Sequence, residues 1–274
     1  MTRAFIICLL FLSCVSCAHS PAPEGLLRDP DIVSFKSSET KLFGASLLLA
    51  GRLKKPPGDG PFPAIVLLHG CGGVQPKRDH LWAKRLVSWG YVTLQVDSFK
   101  PRGITSVCTM GGKEAADMLA RRVTDAYDAR HYLISLPFVD SKRIAVMGWS
   151  NGGATTLNAL YPKRDDPFKA AVAMYPSCRK SLAELNAPLL ILIGAKDDWT
   201  PAERCVSMMP SGKSNFGVAC AYDVHCNNLR LSENVLSNFM TFVGNASQNI
   251  YSPEIAADLL YDLYFGVIWI IICN

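Results

Sequence analysis

Along this chain, short apolar runs bounded by Pro and Gly alternate with stretches whose apolar residues recur every three or four positions. After a Pro-rich leader, "KLFGASLLLAG" predicts a strand and "RLKKPPGDGPFP" a loop, and the apolar run "AIVLLHG" predicts a buried strand. "HLWAKRLVSWG" has helical spacing and stops at Gly90, the usual terminator, before strand-like "YVTLQVD". A helical pattern from Lys113 to Leu136 ends at Pro137, and "RIAVMG" is another short buried strand. A helix from Asn151, strands "KAAVAMY" and "PLLILIG", a helix after Pro201 and a weaker strand near "FGVACAY" complete the series. Strands alternating with helices imply right-handed crossovers and an α/β fold with a mostly parallel sheet. The length of 274 residues, 49% hydrophobic and 19% charged, fits one domain of this kind.

The first twenty residues change the compartment. "MTRAFIICLLFLSCVSCAHS" runs from one basic residue through an apolar stretch, too short to span a bilayer, to small residues and cysteines, the order of a secretory signal. Cleavage after Ala18 or Ser20 gives a secreted form; lipidation at Cys14 or Cys17 gives a membrane-attached lipoprotein, and both alternatives stay open. The expected organisation is a signal at 1–20 and a single domain at 21–274 that diverges from about 226. An oxidising compartment permits disulfides. Of ten cysteines, seven follow the leader, and Cys108 and Cys178, expected in loops at the carboxyl edge of the sheet, are predicted to include a disulfide partner. No Cys/His spacing suits zinc, so neither metal nor cofactor is expected. The net charge of +5 is scattered in short clusters, the pattern of a solvated surface and not of a nucleic-acid groove.

Chemistry is concentrated in "AVMGWSNGGAT", residues 145–155. A strand delivers the chain to Ser150 and a helix leaves it, the setting of a nucleophile elbow, in which Gly148 and Gly152 let neighbouring chain pass without Cβ clashes. The ordinary alternative is an N-cap serine, worth about 1 kcal/mol. A serine hydroxyl needs a base to take its proton and a carboxylate to orient that base. Asp197, just after "PLLILIG", and His225 follow in the order Ser, Asp, His; Asp198 competes with Asp197 but stands farther from the strand end. His80 and His131 lie on predicted helices in packing or solvated roles. In "LLHGCGGV", containing His69, the useful groups are backbone amides, and the N–H groups of Cys71 and Asn151 are the expected oxyanion donors.

From about Phe62 to His225 the chain resembles the dienelactone hydrolase family of α/β hydrolases, through "HGCGGV", "GYVTLQVDSFKPRG", "GWSNGG", "YPSC" and "GAKDDWTP". The resemblance implies an eight-stranded α/β-hydrolase sheet with helices on both faces and ester hydrolysis through an acyl-enzyme. The family's namesake uses cysteine where this chain has Ser150, and a glutamate where it has Gly70. Similarity also suggests that Arg102, and Arg230 past the histidine, stand near arginines that bind the substrate carboxylate, each offset by one residue; an ordinary solvated arginine is the alternative for both. After His225 the chain departs from the family pattern until "YSPEIAADLLYDLYFG", which resembles its final helix and is followed by the apolar tail "VIWIIICN".

The leading expectation is an exported serine hydrolase of a small ester or lactone, with Ser150 as nucleophile, His225 as base and Asp197 as orienting acid. Two others stand beside it: a non-catalytic binding or envelope protein on the same fold, and a peptidase acting on short peptides.

Overall fold

The structure, a computed structural model, describes residues 29–40, 46–161, 166–179, 185–194, 196–208 and 216–221. The chain divides into Met1–Pro30 and Asp31–Asn274, and every element below belongs to the second unit. The strands are β1 (Ile32–Thr40), β2 (Ser46–Lys54), β3 (Phe62–Leu68), β4 (Val92–Asp97), β5 (Val139–Trp149), β6 (Ala171–Met174), β7 (Leu189–Gly194) and β8 (Phe216–Ala221). The helices are α1 (Pro76–Ser88), α2 (Gly112–Ile134), α3 (Asn151–Ala159) and α4 (Ala202–Ser207). One sheet holds all eight strands in the order β1-β2-β4-β3-β5-β6-β7-β8. β2 pairs antiparallel with β1 and β4, and the remaining pairings are parallel.

Strand alternation separates two apolar layers. On β3, Ala64, Val66 and Leu68 join Val123, Ala126 and Tyr127 of α2 and Leu157 of α3. Ile65 and Leu67 point the other way, to Trp82, Ala83 and Leu86 of α1. Both faces of the central strands are thereby covered, which is why they read as continuous apolar runs.

β1 has no counterpart among the strands expected from sequence. Its inward positions include Phe35 but also Ser37 and Glu39, so hydrophobic alternation fails where the strand meets the polar end of α2. Those polar groups are paired: Ser37 Oγ and Ser38 N–H donate to Asp128 Oδ2 at 3.0 and 2.7 Å, and Ser38 Oγ donates to Asp128 Oδ1. β2 likewise continues through Arg52–Lys54, where a loop is expected, because its antiparallel pairing with β4 extends to Lys54 and Thr93.

Cys108 and Cys178 are both disulfide-bonded, to Cys71 and Cys205 respectively. The first bond ties the turn after β3 to the loop before α2, and the second ties the segment after β6 to α4.

Asp128 is the single acceptor for three donors of β1, so Asp128→Ala leaves the buried Ser37 hydroxyl and two donors of Ser38 without their acceptor. It is expected to lower unfolding stability by about 2–3 kcal/mol, measured by urea titration. A loss within about 0.5 kcal/mol would mean that β1 is held by its ladder to β2 alone.

Candidate active site

Ser150 lies between β5 and α3 with φ 52° and ψ −114°. A non-glycine residue there is strained by roughly 1–3 kcal/mol, and its surroundings must hold it. Ser150 N–H donates to Met174 O at 2.9 Å, and Ser150 O accepts from Ala154 N–H at 2.8 Å. A Cβ on Gly148 would lie 2.2 Å from Gly152 O, and one on Gly152 would lie 2.1 Å from Leu68 O. Only glycine at both positions lets α3 start this close to the ends of β5 and β3. The Ser150 side chain makes no capping hydrogen bond to α3, so the N-cap role does not account for it.

The turn after β3 faces this serine: a Cβ built on Gly70 would be 3.8 Å from Ser150 Cβ and 3.6 Å from Trp149 O. Its conformation is held from several sides. Gly73 N–H donates to Gly70 O at 3.3 Å, and Val107 N–H donates to Cys71 O at 2.8 Å. Ser98 N–H donates to His69 Nε2 at 3.2 Å, so Nδ1 carries the imidazole proton and donates to Gly70 O at 2.8 Å. Burial, reinforced by the Arg122 charge, lowers the His69 pKa to about 3. His69 is therefore a neutral clip for the turn and not a proton carrier at neutral pH.

Asp197 stands on the turn after β7, with its N–H donating to Gly194 O at 3.2 Å. Its Oδ1 accepts from Trp199 N–H and Thr200 N–H at 3.0 and 2.7 Å, and Oδ2 accepts from Thr200 Oγ1 at 2.8 Å. Asp198 is exposed. Tyr175, directly after β6, has φ 37° and is half-buried; burial pushes its phenol up in pKa, against the opposing pull of the adjacent Arg78 guanidinium. Arg78 itself donates from Nε to the buried Asp79 Oδ1 at 2.6 Å, and Nη1 comes within 3.9 Å of the position a Gly70 Cβ would take. Sequence periodicity marks neither Arg78 nor Tyr175, since both lie at ordinary element ends. His225 and Arg230 fall outside the described residues. Among the described residues no cluster of His, Cys, Asp or Glu is arranged to hold a metal ion.

Arg102 does not fill the substrate-binding role that similarity suggests. Its Nε and Nη2 donate to Glu39 Oε2 at 3.1 and 2.6 Å, Nη1 donates to Ser98 O at 2.6 Å and Asp125 Oδ2 at 2.9 Å, and Nη2 also donates to Asp125 Oδ1 at 2.8 Å. A guanidinium has five N–H donors, and all five are committed. The side chain is only 6% exposed and its partner Asp125 is fully buried. Arg102 is thus a tie between β1, α2 and the turn after β4.

Two expectations follow from these buried groups. Arg102→Ala strands Asp125 without its cation and is expected to cost about 3–5 kcal/mol in urea unfolding; a loss below about 1 kcal/mol would contradict the tie. For His69, the folded pKa of about 3 lies below the unfolded 6.5, so the unfolded chain takes the proton first. Its contribution therefore disappears as pH falls below about 6.5, at no more than ~1.4 kcal/mol per pH unit. Urea titrations from about pH 7 to pH 5 should show the stability gap between wild type and His69→Gln narrowing; parallel curves would show that His69 is not buried neutral.

Residues 49–225 match the dienelactone hydrolase family. Cutinase 2 of Thermobifida cellulosilytica is 30% identical over 189 residues, 66% of this chain, and this chain spans 65% of that cutinase's length. Dipeptidyl peptidase 8 of Homo sapiens is 31% identical over 170 residues, 57% of this chain but 17% of the peptidase. The structure of a thermophilic esterase from Thermogutta terrifontis has the same fold, with a TM-score of 0.53 at 16% identity over 81% of this chain and 96% of that one. The family match runs from β2 through the turn at Ser150 to the Asp197 turn and beyond, so it takes in the described site, and the chain belongs to the dienelactone hydrolase family of α/β hydrolases.

Proposed function

We propose that the protein is an exported carboxylic ester hydrolase acting on a small ester or lactone through Ser150. The observation that carries the reading is the Ser150 backbone, held at φ 52° with its hydroxyl unused by the helix it precedes. Strain of this kind persists where surroundings over-determine it, and it clusters at reactive residues. In the proposed reaction Ser150 Oγ attacks the ester carbonyl while His225 takes its proton. Asp197, anchored by three donors, orients the imidazole. The carbonyl oxygen becomes an oxyanion held by Cys71 N–H and Asn151 N–H. Collapse expels the alcohol with the proton from His225, and water then releases the acid from the acyl-enzyme by the same steps. The exposure of Asp198 supports Asp197 as the acid.

The family match and the cutinase relative support an ester substrate. Two disulfides support an oxidising compartment, and with it the leader reading; attachment through a lipid on Cys14 or Cys17 belongs to the same proposal. The relationship to a dipeptidyl peptidase favours short peptides as a second substrate class, which would appear as turnover of a peptide anilide.

Ser150→Ala should lower kcat on p-nitrophenyl butyrate by about 10⁴-fold or more and abolish labelling by a fluorophosphonate. Near-normal turnover by the variant would end the serine reading, and a wild type that neither turns over esters nor labels would leave the fold as a binding scaffold.

A further inference from the structure

Arg122 is a fully buried cation in the middle of α2. Its Cζ lies 5.0 Å from the centroid of the Phe99 ring, and its two terminal nitrogens reach different segments of chain. Nη2 donates to His69 O at 2.6 Å, at the end of β3, and Nη1 donates to Asn151 Oδ1, at the start of α3. His69 stands two residues before Cys71, and Asn151 directly follows Ser150. One planar group therefore spans the two pieces of backbone that carry the expected oxyanion donors.

The choice of partners is unusual for a buried cation. Asp125 lies close enough to raise the Arg122 pKa, but its two oxygens accept hydrogen bonds from Arg102. Arg122 instead hydrogen-bonds two neutral oxygens. Burial lowers its pKa to about 10, which leaves it charged at neutral pH. Among the described residues no carboxylate hydrogen-bonds or ion-pairs with Arg122, and a buried cation held that way is expensive, so apolar packing would serve stability better. What a planar, two-pronged donor supplies and an apolar side chain cannot is a fixed spacing between two acceptors.

We propose that Arg122 is a positioning residue for the oxyanion site, holding the turn after β3 and the start of α3 at the separation that lets Cys71 N–H and Asn151 N–H act on one oxygen. Its charge adds to the field that favours the developing oxyanion. The inference rests on Ser150 being the nucleophile. Lysine has a single ammonium at the end of a flexible stem and reaches one of the two acceptors at a time; methionine reaches neither.

The test compares Arg122→Met, Arg122→Lys, Asn151→Ala and Ser150→Ala with wild type. The readouts are p-nitrophenyl butyrate kinetics, inhibition by an aryl trifluoromethyl ketone and thermal melting. The ketone adds to the serine as a tetrahedral oxyanion, so it reads the same donors as the transition state. Arg122→Met is expected to lower kcat by about 100-fold, since displacing oxyanion donors costs on that order, with KM within about threefold. Ketone affinity should fall in parallel with kcat, Arg122→Lys should recover part of both, and Asn151→Ala, which cuts one tether and keeps the backbone donor, should lose about tenfold in kcat. A purely structural role would lower the melting temperature and leave kcat and ketone affinity of the folded fraction unchanged. Folded Arg122→Met with kcat within about threefold of wild type overturns the inference, on the same scale of oxyanion-donor losses. If that variant does not fold, wild-type kcat in both Arg122→Lys and Asn151→Ala overturns it equally. Turnover lost in Ser150→Ala but intact in the Arg122 variants sinks this inference alone, whereas turnover surviving Ser150→Ala sinks the serine reading and this one with it.

Discussion

The rest of the site depends on a steric constraint: α3 begins so close to β5 and β3 that no Cβ fits at Gly148 or Gly152. Hypothetical Cβ atoms there would meet main-chain oxygens at 2.2 and 2.1 Å, and a main-chain atom, unlike the end of a flexible side chain, cannot step aside. This approach forces the chain to reverse within Ser150, which accounts for its positive φ. It also brings Asn151 and the carbonyl of His69 near enough for one guanidinium to bond both. Residue identity at two glycines therefore governs the serine's conformation, the placing of the turn after β3 and the usefulness of Arg122.

Around that contact, α2 carries four buried charged residues, Arg122, Asp125, Asp128 and Arg130, on a helix that also supplies core residues such as Val123 and Ala126. Each is answered differently. Asp128 accepts from β1, Asp125 accepts from Arg102, Arg130 pairs with Asp166, and Arg122 takes the neutral oxygens of the site. Asp128 and Asp125 are engaged by groups from different segments, β1 and Arg102, so neither is free to take the other's partner. The division explains why an arginine that looks suited to a substrate carboxylate, Arg102, is consumed internally. A cation with all five donors satisfied offers a ligand only its residual field.

Legibility followed the physics of each region. Strands buried on both faces, β3 and β7, were plain as uninterrupted apolar runs, and the turn at Ser150 was plain because steric need restricts its flanks to glycine. The chain order of Ser150 and Asp197 was readable because the α/β series placed both at strand ends. β1 escaped because Ser37 and Glu39 occupy inward positions satisfied only by groups distant in sequence, Asp128 and Arg121 of α2 and Arg102 of the turn after β4. Cys108 and Cys178 were recognisable as bonding cysteines from their loops, but their partners were not, because pairing depends on Cα separation. Arg122 carried one faint signal, a charged residue beside Val123 on the apolar stripe of a helix. Such a position needs acceptors from elsewhere in the fold, and sequence spacing cannot say which.

Beyond its main-chain hydrogen bonds, the turn after β3 is held by three bonds of different character: a disulfide at Cys71, a charge-assisted hydrogen bond at His69 O, and a neutral imidazole clip to Gly70 O. A turn serving only as a connection would not need this. The proposed oxyanion site would, because donors that must reorient when charge develops lose much of their advantage over water. The three bonds also respond to different conditions, since the disulfide answers to redox potential, His69 to acid, and Arg122 to neither at neutral pH. With its cation retained well above neutrality, the Arg122 clamp is, of these three, the one that persists when pH falls or the disulfide is reduced. That is consistent with its being the group that bonds both sides of the site at once.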